Sequence, residues 1–283
     1  MSRTAFVFAG GGSFGAVQVG MLQALVAHGV RADFVVGSSV GAINGAHYAG
    51  DPTIDGVAQL EKLWLGIRRR DIFPVNWRTA ASFLWRRDFL LSSMGLRRFI
   101  ETHLPYRNLE DASLPMHVVA TDLLSGAAAI LSRGSAADAI IASSAIPAAF
   151  APVAIDGRYL VDGAITSNTP VAVAVGLGAE RLVVLPTGFA CALQQPPIGA
   201  VANALHALTL LIARQLVAEL EHLDKVIDFA IVPTLCPRMG SAYDFSRTAE
   251  LITSAAQNTR GRIAGGGLDR REIPDALRAH SHG

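Results

Sequence analysis

The chain has 283 residues, a formal net charge of +1, 51% hydrophobic residues and 17% charged ones. That balance excludes a disordered, collagen-like or coiled-coil protein, and it speaks against nucleic acid as a partner because phosphate neutralisation needs a large surplus of Lys and Arg. Two cysteines, Cys191 and Cys236, supply neither a disulfide framework nor a structural zinc site, which fits a reducing, cytoplasmic compartment.

Thr4 to Ala9 reads as a strand that Gly10-Gly11-Gly12 interrupts before any signal-peptide core can form. Ala16 to His28 reads as a helix, with Val17, Met21, Leu22 and Leu25 at helical spacing. Gly29 ends it, and Asp33 to Val36 is a second buried strand running into Gly37-Ser38-Ser39-Val40-Gly41 and a helix from Val40 to Tyr48. The crossover makes the two strands parallel, so the loops after Ala9 and Val36 leave one carboxyl edge as neighbours. His117 to Thr121, Ala128 to Leu131, Arg158 to Val161 and Arg181 to Leu185 read as further strands, with helices at Ala136 to Ala145 and Val171 to Gly176. Thr169-Pro170 supplies an N-cap and a first-position Pro for the latter. Ile198 to Leu223 and Ser246 to Ile263 are helical; His206, Arg214, Glu219 and Glu221 make the former a soluble helix and not a membrane span. With no linker between them, these elements predict one α/β domain over 1–283, a mostly parallel central sheet sandwiched by helices, with 186–283 helical.

Gly10-Gly11-Gly12-Ser13-Phe14-Gly15 has the G-x-G-x-x-G spacing between strand and helix that a dinucleotide fingerprint needs. That fingerprint also needs an acid at the carboxyl end of the second strand, whereas Asp33 stands at its amino end and Gly37, Ser38 and Ser39 occupy the ligand edge. A phosphate loop fails too, since Ala16 and Val17 replace the Lys and Ser/Thr. Bare N–H groups at a helix start favour any anion, and beside a nucleophile that anion is an oxyanion.

Gly37-x-Ser39-x-Gly41 between strand and helix matches a nucleophile elbow, in which small flanking residues let the chain turn sharply and expose the serine. Gly11-Gly12-Ser13-Phe14-Gly15 fits the same pattern, but choosing Ser13 leaves the Ser39 turn without a role, so Ser39 is preferred. No histidine sits on an obvious strand-end loop beside a carboxylate. Asp162, closing the strand Tyr159-Leu160-Val161 before Gly163-Ala164, is a candidate base if burial beside Ser39 raises its pKa; the alternative is an Asp-Gly turn that bonds only its own backbone.

Together these features resemble the patatin-like phospholipase family over about Thr4 to Leu185: a glycine-rich loop at Gly10 to Gly15, the elbow Gly37 to Gly41, and Asp162-Gly163-Ala164 as the D-G-[GA] motif. Ser143-Ser144-Ala145-Ile146-Pro147 with Phe150 and Pro152, and Asn168-Thr169-Pro170, are similar to the blocks flanking the aspartate strand. The resemblance implies a three-layer fold and a lipid acyl hydrolase with Ser39 as nucleophile, Asp162 as base and an oxyanion loop. It implies a lipid ester substrate, no metal and no cofactor. Phe14 stands where the family commonly has Arg or Lys, which leaves room for a catalytically silent lipid-binding protein; a dinucleotide-dependent oxidoreductase is the other competing reading.

Trp64, Trp77 and Trp85 interleave with Arg68-Arg69-Arg70, Arg78, Arg86-Arg87 and Arg97-Arg98. The segment 64–98 is either a membrane-surface contact over the site or a helical insertion with core tryptophans and a solvated basic face.

Overall fold

The computed structural model describes residues 2–68, 92–147, 149–188, 196, 198–223, 226–235, 244–269 and 273. Its strands are β1 (Thr4–Phe8), β2 (Phe34–Ser38), β3 (Met116–Asp122), β4 (Ala128–Leu131), β5 (Val153–Ile155), β6 (Arg158–Asp162), β7 (Arg181–Leu185) and β8 (Asp228–Ile231). Its helices are α1 (Gly15–Ala27), α2 (Val40–Gly50), α3 (Ile54–Gly66), α4 (Met94–His103), α5 (Ala136–Ser143), α6 (Ala164–Ser167), α7 (Val171–Gly176), α8 (Ala200–Leu223) and α9 (Thr248–Ala264).

All eight strands join one sheet, in the bonded order β5-β6-β3-β2-β1-β7-β8 with β4 also on β3. From β3 to β8 the neighbours are parallel, while β4 and β6 run against β3. Strand side chains alternate between two cores. Ala5, Val7, Phe34, Val36, Leu182 and Val184 face α7 and α8, whereas Phe6, Phe8, Val35, Val183 and Leu185 face α1, α2, α3 and α9. The result is the expected α/β fold, a mostly parallel sheet between two helical layers. Fully buried Phe6, Phe8 and Phe34 each contribute about 2–3 kcal/mol through the area they remove from water. α1 is apolar almost all round because the sheet lies beneath it and α9 above, with Gly20 against the backbone of Ile252 and Ala256.

The edges of β3 carry the arrangement that matters for the site. β4 pairs with Val118 to Thr121, β2 with Met116 to Val119, and β6 with Ala120 to Asp122. Val119 pairs with both Ile130 and Ser38, and Ala120 with both Ala129 and Asp162. A strand residue has only two edges, so β4 holds one while β2 and then β6 share the other.

The expected elements are present, with ends shifted by one or two residues at most of them. Several others were not expected. α3 and α4 flank residues outside the described set, and β5 joins β6 through Asp156-Gly157, both at positive φ (49° and 74°), a tight hairpin turn. The C-terminal third is not purely helical, since β8 pairs with β7. α7 begins at Val171 with Pro170 in the cap position, so Thr169 is not its N-cap. Leu216, Leu220 and Leu223 of α8 are buried on the sheet and Ile212 is half-buried; the side chains of 201, 205, 206 and 208 lie outside the described residues. Among the described residues no helix is long and apolar enough to cross a membrane.

Candidate active site

β2 ends at Ser38 and α2 begins at Val40, so the backbone reverses within Ser39, at φ 53° and ψ −127°. A non-glycine residue there is strained and persists only where its surroundings hold it. Glycines on both sides permit the turn. A Cβ on Gly37 would lie 2.7 Å from the Gly41 carbonyl carbon, and one on Gly41 would lie 2.6 Å from the Ala9 oxygen.

The half-buried Ser39 hydroxyl donates to Asp162 Oδ2 at 2.9 Å. Asp162 Oδ1 accepts the Ala164 N–H at 2.8 Å, and the Asp162 backbone carbonyl accepts the Thr121 hydroxyl at 2.8 Å. Gly163 lets β6 close in on β2, since a Cβ there would stand 2.6 Å from Ser38 Oγ. With Asp162 only 4% exposed, burial pushes its carboxyl from 3.8 up to about 6, against the opposing pull of the Ala164 N–H and the Ser39 hydroxyl. A hydroxyl bonded to such a carboxylate can hand over its proton near neutral pH.

Gly10 packs on this pair; a Cβ on it would lie 3.1 Å from the Ser39 Cβ. Its own N–H is committed to the Asn168 carbonyl at 2.9 Å, and its carbonyl accepts the Thr187 hydroxyl at 2.5 Å. Phe14 N–H bonds Gly11 O at 3.3 Å, and Gly15 N–H turns back to Gly12 O and Ser13 O. Ser13 is buried, and the Phe14 ring packs against the core. The Gly11 and Gly12 N–H groups, both half-buried, have no acceptor among the described residues and are the candidate donors of the expected cradle.

Beneath the loop runs a buried polar network that sequence reading did not single out. Gln18 Nε2 donates to the Ala9 and Leu185 carbonyls, both at 2.9 Å; Asn44 Nδ2 donates to Gln18 Oε1 at 2.8 Å and Gly15 O at 2.9 Å; Trp64 Nε1 donates to Asn44 Oδ1 at 2.8 Å. One signal was visible: Gln18 is one of two polar residues in an otherwise apolar helix, and a buried amide must find partners. Thr121 and Thr187 carried no signal of their own.

Neither Ser39 nor Asp162 bonds a histidine among the described residues. His117 meets Ser132 Oγ at 2.7 Å, and His47 is lowered to about 4 by burial and then by His103. Among the described residues no cluster of His, Cys, Asp and Glu could hold a metal ion. Asp33 Oδ2 accepts the Thr4 N–H at 2.7 Å at the amino ends of β1 and β2, away from the glycine loop and from any ribose held there. Trp64 is a core residue, 3% exposed and stacked on Phe245 at 6.1 Å between centroids. Trp77, Trp85 and residues 69–91 in general lie outside the described residues.

A family model described as patatin-like phospholipase matches residues 6–175. Patatin-like phospholipase domain-containing protein 7 of Mus musculus is 28% identical over 186 residues, 65% of this chain and 13% of that protein. An uncharacterized NTE family protein of Mycobacterium tuberculosis is 32% identical over 188 residues, 64% of this chain and 48% of that one. The chain thus spans less than half of either relative. The crystal structure of VipD from Legionella pneumophila aligns with a TM-score of 0.47 at 13% identity, covering 93% of this chain and 67% of that one. The matched span runs from β1 into α7, more than half of the chain, and it contains the glycine loop, the Ser39 turn and Asp162: this protein belongs to the patatin-like phospholipase family.

Proposed function

We propose that the protein is a serine acyl hydrolase that cleaves carboxylic ester bonds of lipids. The observation that carries this reading is the 2.9 Å bond from Ser39 Oγ to a buried carboxylate whose pKa is pushed up to about 6. Asp162 takes the Ser39 proton as Oγ attacks the ester carbonyl carbon. The carbonyl oxygen becomes an oxyanion received by the Gly11 and Gly12 N–H groups. Collapse of this tetrahedral species breaks the ester C–O bond, and the alcohol leaves with the proton held on Asp162. Water then gives a proton to Asp162 and attacks the acyl-enzyme, and that proton returns to Ser39 Oγ as the fatty acid leaves. The lipid substrate class is supported by family membership and by the phospholipase name of the mouse relative.

The test is labelling by a fluorophosphonate probe, with a short-chain ester assay in parallel, on wild type, Ser39→Ala, Ser13→Ala and Asp162→Asn. Labelling and hydrolysis are expected in wild type and Ser13→Ala, with none in Ser39→Ala and strongly reduced rates in Asp162→Asn. Labelling retained by Ser39→Ala would overturn the assignment. A wild type that neither labels nor hydrolyses would favour a lipid-binding protein without turnover.

A further inference from the structure

The Ser143 hydroxyl stands between the two strands that separate at the elbow. It accepts the Ser39 N–H at 2.8 Å and donates to the Val119 carbonyl at 2.6 Å. Val119 faces Ser38 in the β2–β3 register, so a strand continuing straight would offer its next N–H to that same edge of β3. The turn at Ser39 takes the N–H out of line, and the hydroxyl spans the gap. Ser143 is wholly buried, and its hydroxyl is used as donor and acceptor at once.

The same segment also holds the backbone around the other half of the pair. The Ser143 backbone carbonyl accepts the Gly163 N–H at 3.2 Å, and the Ala145 carbonyl accepts the Asp162 N–H at 3.0 Å. Ser39 and Asp162 lie 123 residues apart in sequence, yet Ser39 is bonded to Ser143 at the end of α5 and Asp162 to Ala145 two residues further on. We propose that Ser143 is the positioning residue of the Ser39–Asp162 pair, setting its separation from both sides; this rests on the hydrolase reading above. An alanine at 143 leaves the Ser39 N–H and the Val119 carbonyl to find each other directly. That contact relaxes the turn toward an ordinary strand and draws Oγ away from Asp162.

The experiment compares wild type, Ser143→Ala, Ser143→Thr and Ser39→Ala. Ester turnover is expressed per fluorophosphonate-labelled site, and the Asp162 carboxyl is titrated by carbon NMR, assigned with Asp162→Asn, which needs no turnover. Ser143→Ala is expected to lower kcat by about a hundredfold, the scale of an ångström-sized misplacement, with KM changed by less than about twofold. Its Asp162 carboxyl should titrate above the wild-type midpoint, having lost the Ser39 bond that lowers it. Ser143→Thr, which keeps the hydroxyl, should restore both. If Ser143→Ala does not fold, Ser143→Cys serves, its thiol being a weak donor and acceptor, with kcat expected about tenfold down. A variant without the hydroxyl that melts earlier but keeps wild-type kcat per site and an unmoved Asp162 midpoint overturns the proposal. If Ser39→Ala hydrolyses the ester as fast as wild type, the hydrolase reading fails instead, and the NMR midpoint still decides whether Ser143 sets the pair.

Discussion

Ser38 and Asp162 occupy successive places on one edge of β3, opposite Val119 and Ala120. Where β2 leaves that edge to turn at Ser39, β6 enters it from the other direction, and the hydroxyl and carboxylate meet at the junction. Their separation is therefore set by the strand ladder and by Ser143 and not by the long connections between them, which lets a hydrogen bond of 2.9 Å join two loops of the carboxyl edge.

The first consequence is a pH dependence of the reaction. In the proposed mechanism only the ionised Asp162 can accept the Ser39 proton, and its carboxyl is pushed up to about 6. The acid limb of kcat/KM for a neutral short-chain ester is expected near pH 6, about two pH units above an ordinary aspartate. A profile flat down to pH 4.5 would show that Asp162 is not the base.

Stability should run the opposite way to activity. Below about pH 4 the carboxyl is neutral in both folded and unfolded states, and its burial carries no charge penalty. As pH rises, the unfolded state ionises first, and stability from this group is lost until about pH 6, by on the order of 3 kcal/mol. Asp162→Asn removes that loss. Urea denaturation should find the variant more stable than wild type at pH 8 and equal to it near pH 4, while its turnover is largely gone.

Much of this was legible in the sequence, for identifiable reasons. Short continuous apolar runs such as Ala5 to Phe8 and glycine punctuation at Gly10 to Gly12 mark buried strands and tight loops locally, so the α/β fold and the candidates Ser39 and Asp162 emerge from short windows. Asp156-Gly157 was a hairpin signal that could have revealed β5. What stayed hidden is long-range. Which loop groups are spoken for depends on Asn168, whose carbonyl takes the Gly10 N–H, and on Thr187, whose hydroxyl donates to the Gly10 carbonyl, both contributed from beyond residue 160. The work of Ser143 depends on a β2–β3–β6 junction that no window contains.

The strain at Ser39 can be measured apart from its chemistry. Ser39→Ala and Ser39→Gly both remove the hydroxyl, but only glycine accepts φ 53° and ψ −127° without penalty. Ser39→Gly is expected to be more stable than Ser39→Ala by about 1 kcal/mol after the entropy glycine adds to the unfolded state. Equal stabilities in denaturant would mean that the turn is unstrained.

Gln18 is expected to matter more than its position inside α1 suggests. Gln18→Leu keeps the volume but leaves the Ala9 carbonyl without its donor, one of two at the Leu185 carbonyl missing, and Asn44 Nδ2 short of an acceptor. At roughly 1–3 kcal/mol per buried group left unpaired, a loss of about 2–4 kcal/mol follows. Trp64→Phe removes a single donor at the far end of the network and should lose less, about 1–2 kcal/mol. Thermal melts of the two variants test that ranking, and the reverse order would place the support of the glycine loop elsewhere.

Gly11 provides the sharpest test of the oxyanion cradle. It sits at φ 157° and ψ 21°, and a Cβ there would run into the Thr187 side chain, whose hydroxyl holds the Gly10 carbonyl at 2.5 Å. In Gly11→Ala either Thr187 is pushed away or the peptide rotates, and both movements take the Gly11 N–H off its line. An oxyanion donor acts on charge that develops only in the transition state, so its loss should lower kcat by about 10²–10³-fold and leave KM nearly unchanged. Thr187→Ala in the same protein makes room for the new methyl group and should recover part of the rate. Wild-type kcat in Gly11→Ala would remove that N–H from the mechanism and leave Gly12 as the donor to examine.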